Sequence, residues 1–436
     1  MKQLNNLFPF SGKYLRIIAG FAVVNLFFML FPFALEAATY YSRVATGNFA
    51  TLATWSTSRT GTPTNTTALA AGDIFIIQTG NNITLAANQT AASVTVESGG
   101  TLTSGGNFTL TSPLTIDSGG TLTITTTRLT MGGALINNGT ITLTTGRLIR
   151  GAFSLTNNGS ITMGAGQFTA STGAFTNGAS GTMTVSGTAT ITLGTGTFTN
   201  NNTSSSVNFG SSAVTLTGTV TRSVGGFTTT GLFSTTNTAG TITLTGNVNC
   251  NGITRNGTGG TLNMGVGLTH TTTGVVTLTA GTINGGSSTI NVNVVSTTAW
   301  NGTATVFVPG TSTVNFGAAG NQTLSATGTK TFYNITLSNS GVKTIASTTV
   351  NNILSMEGTA TASAAPTYGA NATLRYNTAT GRSAGAEWLA TFAATGGVII
   401  DNTGAINPNG NKVFNLDIPL TINSGATLSP AAGNTF

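Results

Sequence analysis

Residues 117–143 read DSGGTLTITTTRLTMGGALINNGTITL. A polar turn, Asp117 to Gly120, leads into a run where Leu122 and Ile124 alternate with threonine. Alternation with period two marks a strand that buries one face. Two further apolar clusters follow, Leu129 with Met131 and Leu135 with Ile136. A second polar turn, NNG, then restarts the cycle at Ile141 and Leu143.

The same cycle runs outward in both directions. Glu97, Asp117, Asn137, Asn157 and Asn177 stand 20 residues apart and open the turns ESGGTL, DSGGTL, NNGTI, NNGSI and NGASGTM. Thr241 of AGTITL and Thr261 of GGTLNM keep the same step, and insertions such as NNNTSSS (200–206) lengthen some turns. The next coils supply Ile141 with Leu143, Leu148, and Phe153 with Leu155, then Ile161 with Met163, Phe168 and Phe175. Three short strands per repeat, each turning one side inward, predict an all-β parallel β-helix (β-solenoid) of about 20 residues per coil, its core shared between neighbouring coils. A β-sandwich array would need hairpin turns and antiparallel partners, and gives no reason for so constant a step.

The N-terminus reads as a signal peptide, residues 1–37. Lys2, Lys13 and Arg16 precede an apolar run from Ile17 to Ala34, and ALEAA supplies a small-residue cleavage zone near Ala37. An uncleaved anchor is the competing reading, since the run approaches the ~20 residues that span a bilayer. Pro32 and the closing alanines favour cleavage, and no later segment is apolar enough to span a membrane. The expected location is therefore secreted or outer-surface.

Composition narrows the function classes. Charged residues are only 5% of the 436, while 39% are hydrophobic, which argues against disorder. Fifteen Lys and Arg less the three in the leader, against eight acids less Glu36, leave a net charge of +5. Arg147 and Arg150 are the closest basic pair, so the high pI of about 9.9 reflects scarce acids and no nucleic-acid patch is expected. Cys250 is alone, which excludes an internal disulfide framework; its strand-like context, GNVNCNGI, predicts a buried small hydrophobe.

Residues 38–96 differ from the repeats that occupy 97–295, and the aromatic-rich YYSRVATGNFATLATW (40–55) predicts a cap over the first coil. Residues 296–436 read as a second, less regular solenoid section. The chain stops mid-repeat at LTINSGATLSPAAGNTF, and a truncated C-terminus is the expectation.

ATYYSR…TW…AGDIFIIQTGNNITL…VTVESGGTL resembles the start of secreted bacterial β-helix proteins. STVNFGAAGNQTL…TKTFYNITLSNSG and AEW…VIIDNTG…LTINSGATL resemble segments of the large surface proteins exported by type IX secretion systems. The resemblance covers most of the mature chain. It implies a β-helix fold and adhesin-like surface cargo, without a defined activity; the C-terminal sorting domain of such cargo is missing.

Catalytic chemistry finds little to stand on. Glycoside hydrolysis needs two carboxylates facing one bond. Glu97 and Asp117 lie one coil apart, but their position continues as Asn137, Asn157 and Asn177, so a stacked ladder of Asx turns accounts for all five. A polysaccharide lyase or hydrolase would require Asp73, Glu97 and Asp117 to converge beside aromatic residues. Glu357, Glu387, Asp401 and Asp417 share no spacing. His270 has no acid or Cys at ligand spacing and reads as a solvated strand residue. NGTGGTLNMGVG (256–267) lacks the Lys of a phosphate loop. No catalytic residue, metal ligand or cofactor is expected.

Threonine is the remaining pattern. Thr121, Thr123 and Thr125 point outward, followed on later coils by Thr140, Thr142 and Thr144, by Ser160 and Thr162, and by Thr182 and Thr184. Such a regular uncharged array suits contact with polysaccharide or cell-surface glycans, or with ice. Threonine also recurs on the other strands (NFTLTS, QFTAS, TFTNN), so the sequence singles out no face. The expected function is a non-catalytic surface or adhesion scaffold. A polysaccharide-active enzyme and an ice-binding solenoid are the alternatives.

Overall fold

A computed structural model describes residues 37–436, apart from 188, 203–205, 217–220, 303–305 and 325–327. The expected leader through residue 36 lies outside the described residues. Thr39–Phe436 make one unit of short strands, with a one-turn 3-10 helix at Leu52–Thr54.

Each coil of the regular part carries three strands. In the coil beginning at Thr121 they are Thr121–Ile124, Arg128–Met131 and Leu135–Asn137. Each pairs in parallel with its counterpart one coil on, so Leu122 sits on Ile141 and Leu129 on Leu148, with Leu135 on Leu155. The first strands stack as one sheet, and the second and third belong to a 25-stranded system. That system is continuous because Ile253–Asn263 and Val276–Asn284 run through the corner as single long strands. This is the parallel β-solenoid that the spacing predicts.

The period-two pattern becomes columns of buried side chains. Leu102, Leu122, Ile141, Ile161 and Met183 form one column, each at most 1% exposed. Removing each such side chain from water stabilises by roughly 1.5–3 kcal/mol. Aromatic residues thicken the core further on, with Phe175 stacked on Phe198 at 5.0 Å between ring centroids. In the ESGG and DSGG turns, Gly99 and Gly119 hold φ of +74° and +85°, which L-residues rarely adopt.

Two expected core residues are not in the core. Ile136 is 40% exposed and Phe153 42% exposed. In Leu135–Asn137 the alternation puts Leu135 and Asn137 inward and sends Ile136 out. Phe153 belongs to the turn before Leu155–Asn157, outside any strand.

At the N-terminal end, Thr39–Ser42 pairs antiparallel with Trp55–Ser56 and parallel with Ile74–Ile77. Phe49, Trp55 and Phe75 pack with ring centroids 4.8–5.0 Å apart, and the Trp55 indole N–H donates to the Phe49 carbonyl at 2.8 Å. This cluster fills the first coil among the described residues.

Candidate functional site

The first-strand sheet presents the most regular outer surface. Its central outward position carries Thr84, Thr103, Thr123, Thr142, Thr162 and Thr184 in register, one per coil. The same position continues as Asn208, Thr228, Asn249, Thr271, Asn291, Asn315 and Thr336, and then as Ser355, which is buried. A second row, Thr101, Thr121, Thr140, Ser160 and Thr182, runs beside the first. Rows are about 6.6 Å apart along a strand and about 4.8 Å between coils. Comparable lanes on the other sheet are interrupted by apolar residues: Ile149 stands between Thr130 and Thr169, and Ile136 between Thr115 and Thr156. The structure therefore distinguishes one face, which the threonine count alone does not.

Beyond Ser355 the lane turns charged. Arg375 follows it and pairs with Asp401, whose carboxyl the Arg375 hydrogen bond holds below its ordinary range.

Of the carboxylates expected as candidates, Glu97 and Asp117 stack one coil apart, and Asp73 does not join them. Asp73 is buried and accepts the Ala70 N–H at 2.6 Å within its own turn. Ile74 pairs with Ser93 and Ile77 with Val96, so Asp73 and Glu97 flank opposite ends of this strand pair. At ~3.3 Å per residue that separation is about 16 Å, beyond the ~5–9.5 Å of glycosidase pairs. Both Glu97 oxygens accept from the Arg59 guanidinium, at 3.0 and 2.5 Å.

The five-member Asx ladder needs correction. Val96 pairs with Ile116, and Ile116 with Asn137, so Glu97 and Asp117 lie one residue out of register with the asparagines. The cause is turn length: four residues separate Ile116 from Thr121, but only two separate Asn137 from Thr140. Asn137, Asn157 and Asn177 point inward and are fully buried. Asn137 donates to Asn157 at 2.7 Å, Asn157 to Asn177 at 2.8 Å, and Asn177 to Asn200 at 2.9 Å. Their amides also close the turns, with Asn157 donating to the Thr182 carbonyl at 3.0 Å. The Asn137 Oδ1 has no partner, because the coil below supplies Ile116.

His270 is likewise buried, contrary to the solvated position expected of it. Its Nδ1 accepts the Val248 N–H at 3.1 Å and its Nε2 donates to the Met264 carbonyl at 2.8 Å. These partners require the neutral Nε2–H tautomer, and desolvation lowers its pKa. Cys250 is buried, as expected, and burial pushes its thiol up to about 12.

Several cations are interior, which composition could not reveal. Arg150 donates to the Phe153, Ala174 and Gly173 carbonyls, the latter two at 3.0 and 3.3 Å. Arg255 donates to the Thr235 and Asn237 carbonyls, both at 3.0 Å. Lys343 reaches the Ala318 and Gly320 carbonyls and the Gln322 amide oxygen at 2.7–2.9 Å. Desolvation lowers Arg150 to about 10 and Lys343 to about 8. These side chains replace solvent as the partner of turn carbonyls. The signal was present: Arg150 shares the inward parity of Leu148.

In the last coils Glu387 is fully buried, accepting from the Tyr376 hydroxyl at 3.0 Å and the Gly385 N–H at 2.9 Å. Arg382 stands 4.0 Å from it. Burial together with the Glu387 charge keeps Tyr368 and Tyr376 protonated.

One polar groove opens near the N-terminal end, at the corner between Ile74–Ile77 and Asn82–Leu85. Its volume is about 330 Å³, and its lining includes Arg43, Arg59, Thr60, Gln78, Asn81 and Glu97. Among the described residues, no three His, Cys, Asp or Glu side chains gather closely enough to hold a metal ion. No helix among them is long and apolar enough to cross a membrane. Comparison with protein-family models, with curated proteins and with solved structures finds no match to this chain.

Proposed function

We propose that the mature chain is an exported surface scaffold, adhesin-like and non-catalytic, that makes contact with polysaccharide or cell-surface glycans through its threonine–asparagine face. One observation carries this reading: the unbroken in-register lane of hydroxyl and amide side chains from Thr84 to Thr336. Each hydroxyl contributes a weak contact, but a lane repeating every ~4.8 Å engages an extended polymer many times over. The bacterial β-helix resemblance and the expected leader support an extracellular setting.

Binding of the chain from residue 38 onward to a glycan array tests the proposal, with turnover measured on every hit. The comparison variant carries Thr123→Val, Thr142→Val, Thr162→Val and Thr184→Val, which keep β-branched shape and remove the hydroxyls. Selective loss of binding supports the reading. Undiminished binding, or turnover of the glycan, overturns it. The two-row block between Thr101 and Thr184 also favours ice binding as a second reading, and thermal hysteresis of the same chain decides between the two.

A further inference from the structure

The groove near the N-terminal end is a different kind of surface from the lane. It has fixed hydrogen-bonding groups and an uncompensated charge. The Gln78 amide is pinned by donating to the Ser42 and Arg59 carbonyls at 2.7 and 3.2 Å. The Asn81 amide donates to the Ser42 carbonyl at 3.0 Å and to its hydroxyl at 2.7 Å. Both NH2 groups are thus committed inward, which leaves the amide oxygens as oriented acceptors. Thr60 adds a hydroxyl to the lining, and Arg59 is stacked 4.8 Å above the Tyr41 ring.

The charges do not balance. Arg59 is neutralised by Glu97. Arg43 donates its Nε to the Gly61 carbonyl at 2.6 Å and Nη1 to the Ala53 carbonyl at 3.1 Å, and pairs with no carboxylate among the described residues. Asp117, the next acid in the stack, is not part of the lining. The groove therefore holds one excess positive charge among neutral donors and acceptors. Its volume of about 330 Å³ is at the small end of ligand sites, which run ~300–1,000 Å³.

We infer that this groove binds a single acidic sugar residue, a hexuronate whose carboxylate meets Arg43 while Gln78, Asn81 and Thr60 engage its hydroxyls. A monoanion matches the single unpaired guanidinium, and the neutral hydrogen-bonding groups match a polyol better than a bare anion. The site is separate from the threonine lane, so its failure leaves the lane's binding unaffected.

Calorimetric titration of the chain from residue 38 onward with three probes tests it: a trigalacturonate, its methyl ester, and sodium phosphate. The acid is expected to bind about tenfold or more tightly than the ester, the weight of one charge-assisted hydrogen bond. Arg43→Gln should abolish that preference and Arg43→Lys should keep most of it, with thermal melts confirming that both fold. Gln78→Leu should weaken the acid and the ester alike. Equal binding of acid and ester by the unaltered chain overturns the inference, even if the Arg43 variants fail to fold. Phosphate binding as tight as the uronate overturns it too, by showing a simple anion site. The quadruple threonine variant should bind trigalacturonate unchanged, which separates failure here from failure of the lane.

Discussion

Inside a coil, a polar side chain finds its partner one coil above or below. Asn157 is the clearest case, accepting from Asn137 and donating to Asn177 and to the Thr182 carbonyl. Asn157→Ala orphans groups on both sides, and each costs ~1–3 kcal/mol when buried. Asn137→Ala should cost less, because Asn137 only donates and its Oδ1 is already unpaired. Urea midpoints of the two variants should fall in that order. His270 makes a second prediction, in pH. Its folded pKa lies below the ordinary value of 6.5, so below pH 6.5 the unfolded chain binds the extra proton. Stability should therefore fall as pH drops from 6.5 toward the folded pKa, by at most ~1.4 kcal/mol per unit. It should be level above 6.5, and His270→Leu should flatten the acid limb in pH-resolved melts. Neither role was legible from residue type. Residue type alone places Asn in the turn and His in solvent, where both are usually found. Their inward parity within the strand decides otherwise.

The strands themselves were legible, because a Leu-Thr-Ile rhythm has one reading on a pleated surface. The turns were less so, since their lengths set the register and composition does not encode them. Ile136 shows the consequence, expected inside and found outside once Asn137 takes the inward position. Close stacking of turns also limits which glycines can be replaced. A Cβ built on Gly173 would lie 1.8 Å from the Phe153 carbonyl oxygen, part of the backbone one coil below. Gly151 occupies the corresponding turn of the previous coil, yet a Cβ there meets nothing within 4 Å. Gly173→Ala should destabilise by about 3 kcal/mol or more, since the backbone must part to admit it. Gly151→Ala should be neutral or stabilising by up to ~1 kcal/mol, through loss of unfolded-state freedom. Chemical denaturation of the pair tests whether backbone approach, and no general need for glycine, sets the turn composition.

At the scale of the whole solenoid, stability is a sum of coils and the interfaces between them, so a complete coil is a removable unit. Residues 140–159 form such a unit. Deleting them joins Gly139 to Ser160, which recreates the existing Gly159–Ser160 junction behind the same Asn-Asn-Gly turn. Within the coil that moves up, the turns between strands have the same lengths as those removed: three residues after Met163 as after Leu143, and four after Ala170 as after Arg150. Leu122 would then rest on Ile161, Leu135 on Phe175, and Asn137 could donate directly to Asn177. The one loss is Arg150, which leaves the Gly173 and Ala174 carbonyls without their guanidinium. The shortened chain should keep its β-sheet circular dichroism and a cooperative melt, with a modestly lower midpoint. Deleting only residues 140–149 places Arg150–Ser154 where Thr140–Thr144 belongs and puts every later strand out of phase with the coil beneath it. That variant should fail to fold, giving aggregates and no cooperative transition. If both deletions behave alike, the coil is not the unit in which this chain stores its stability.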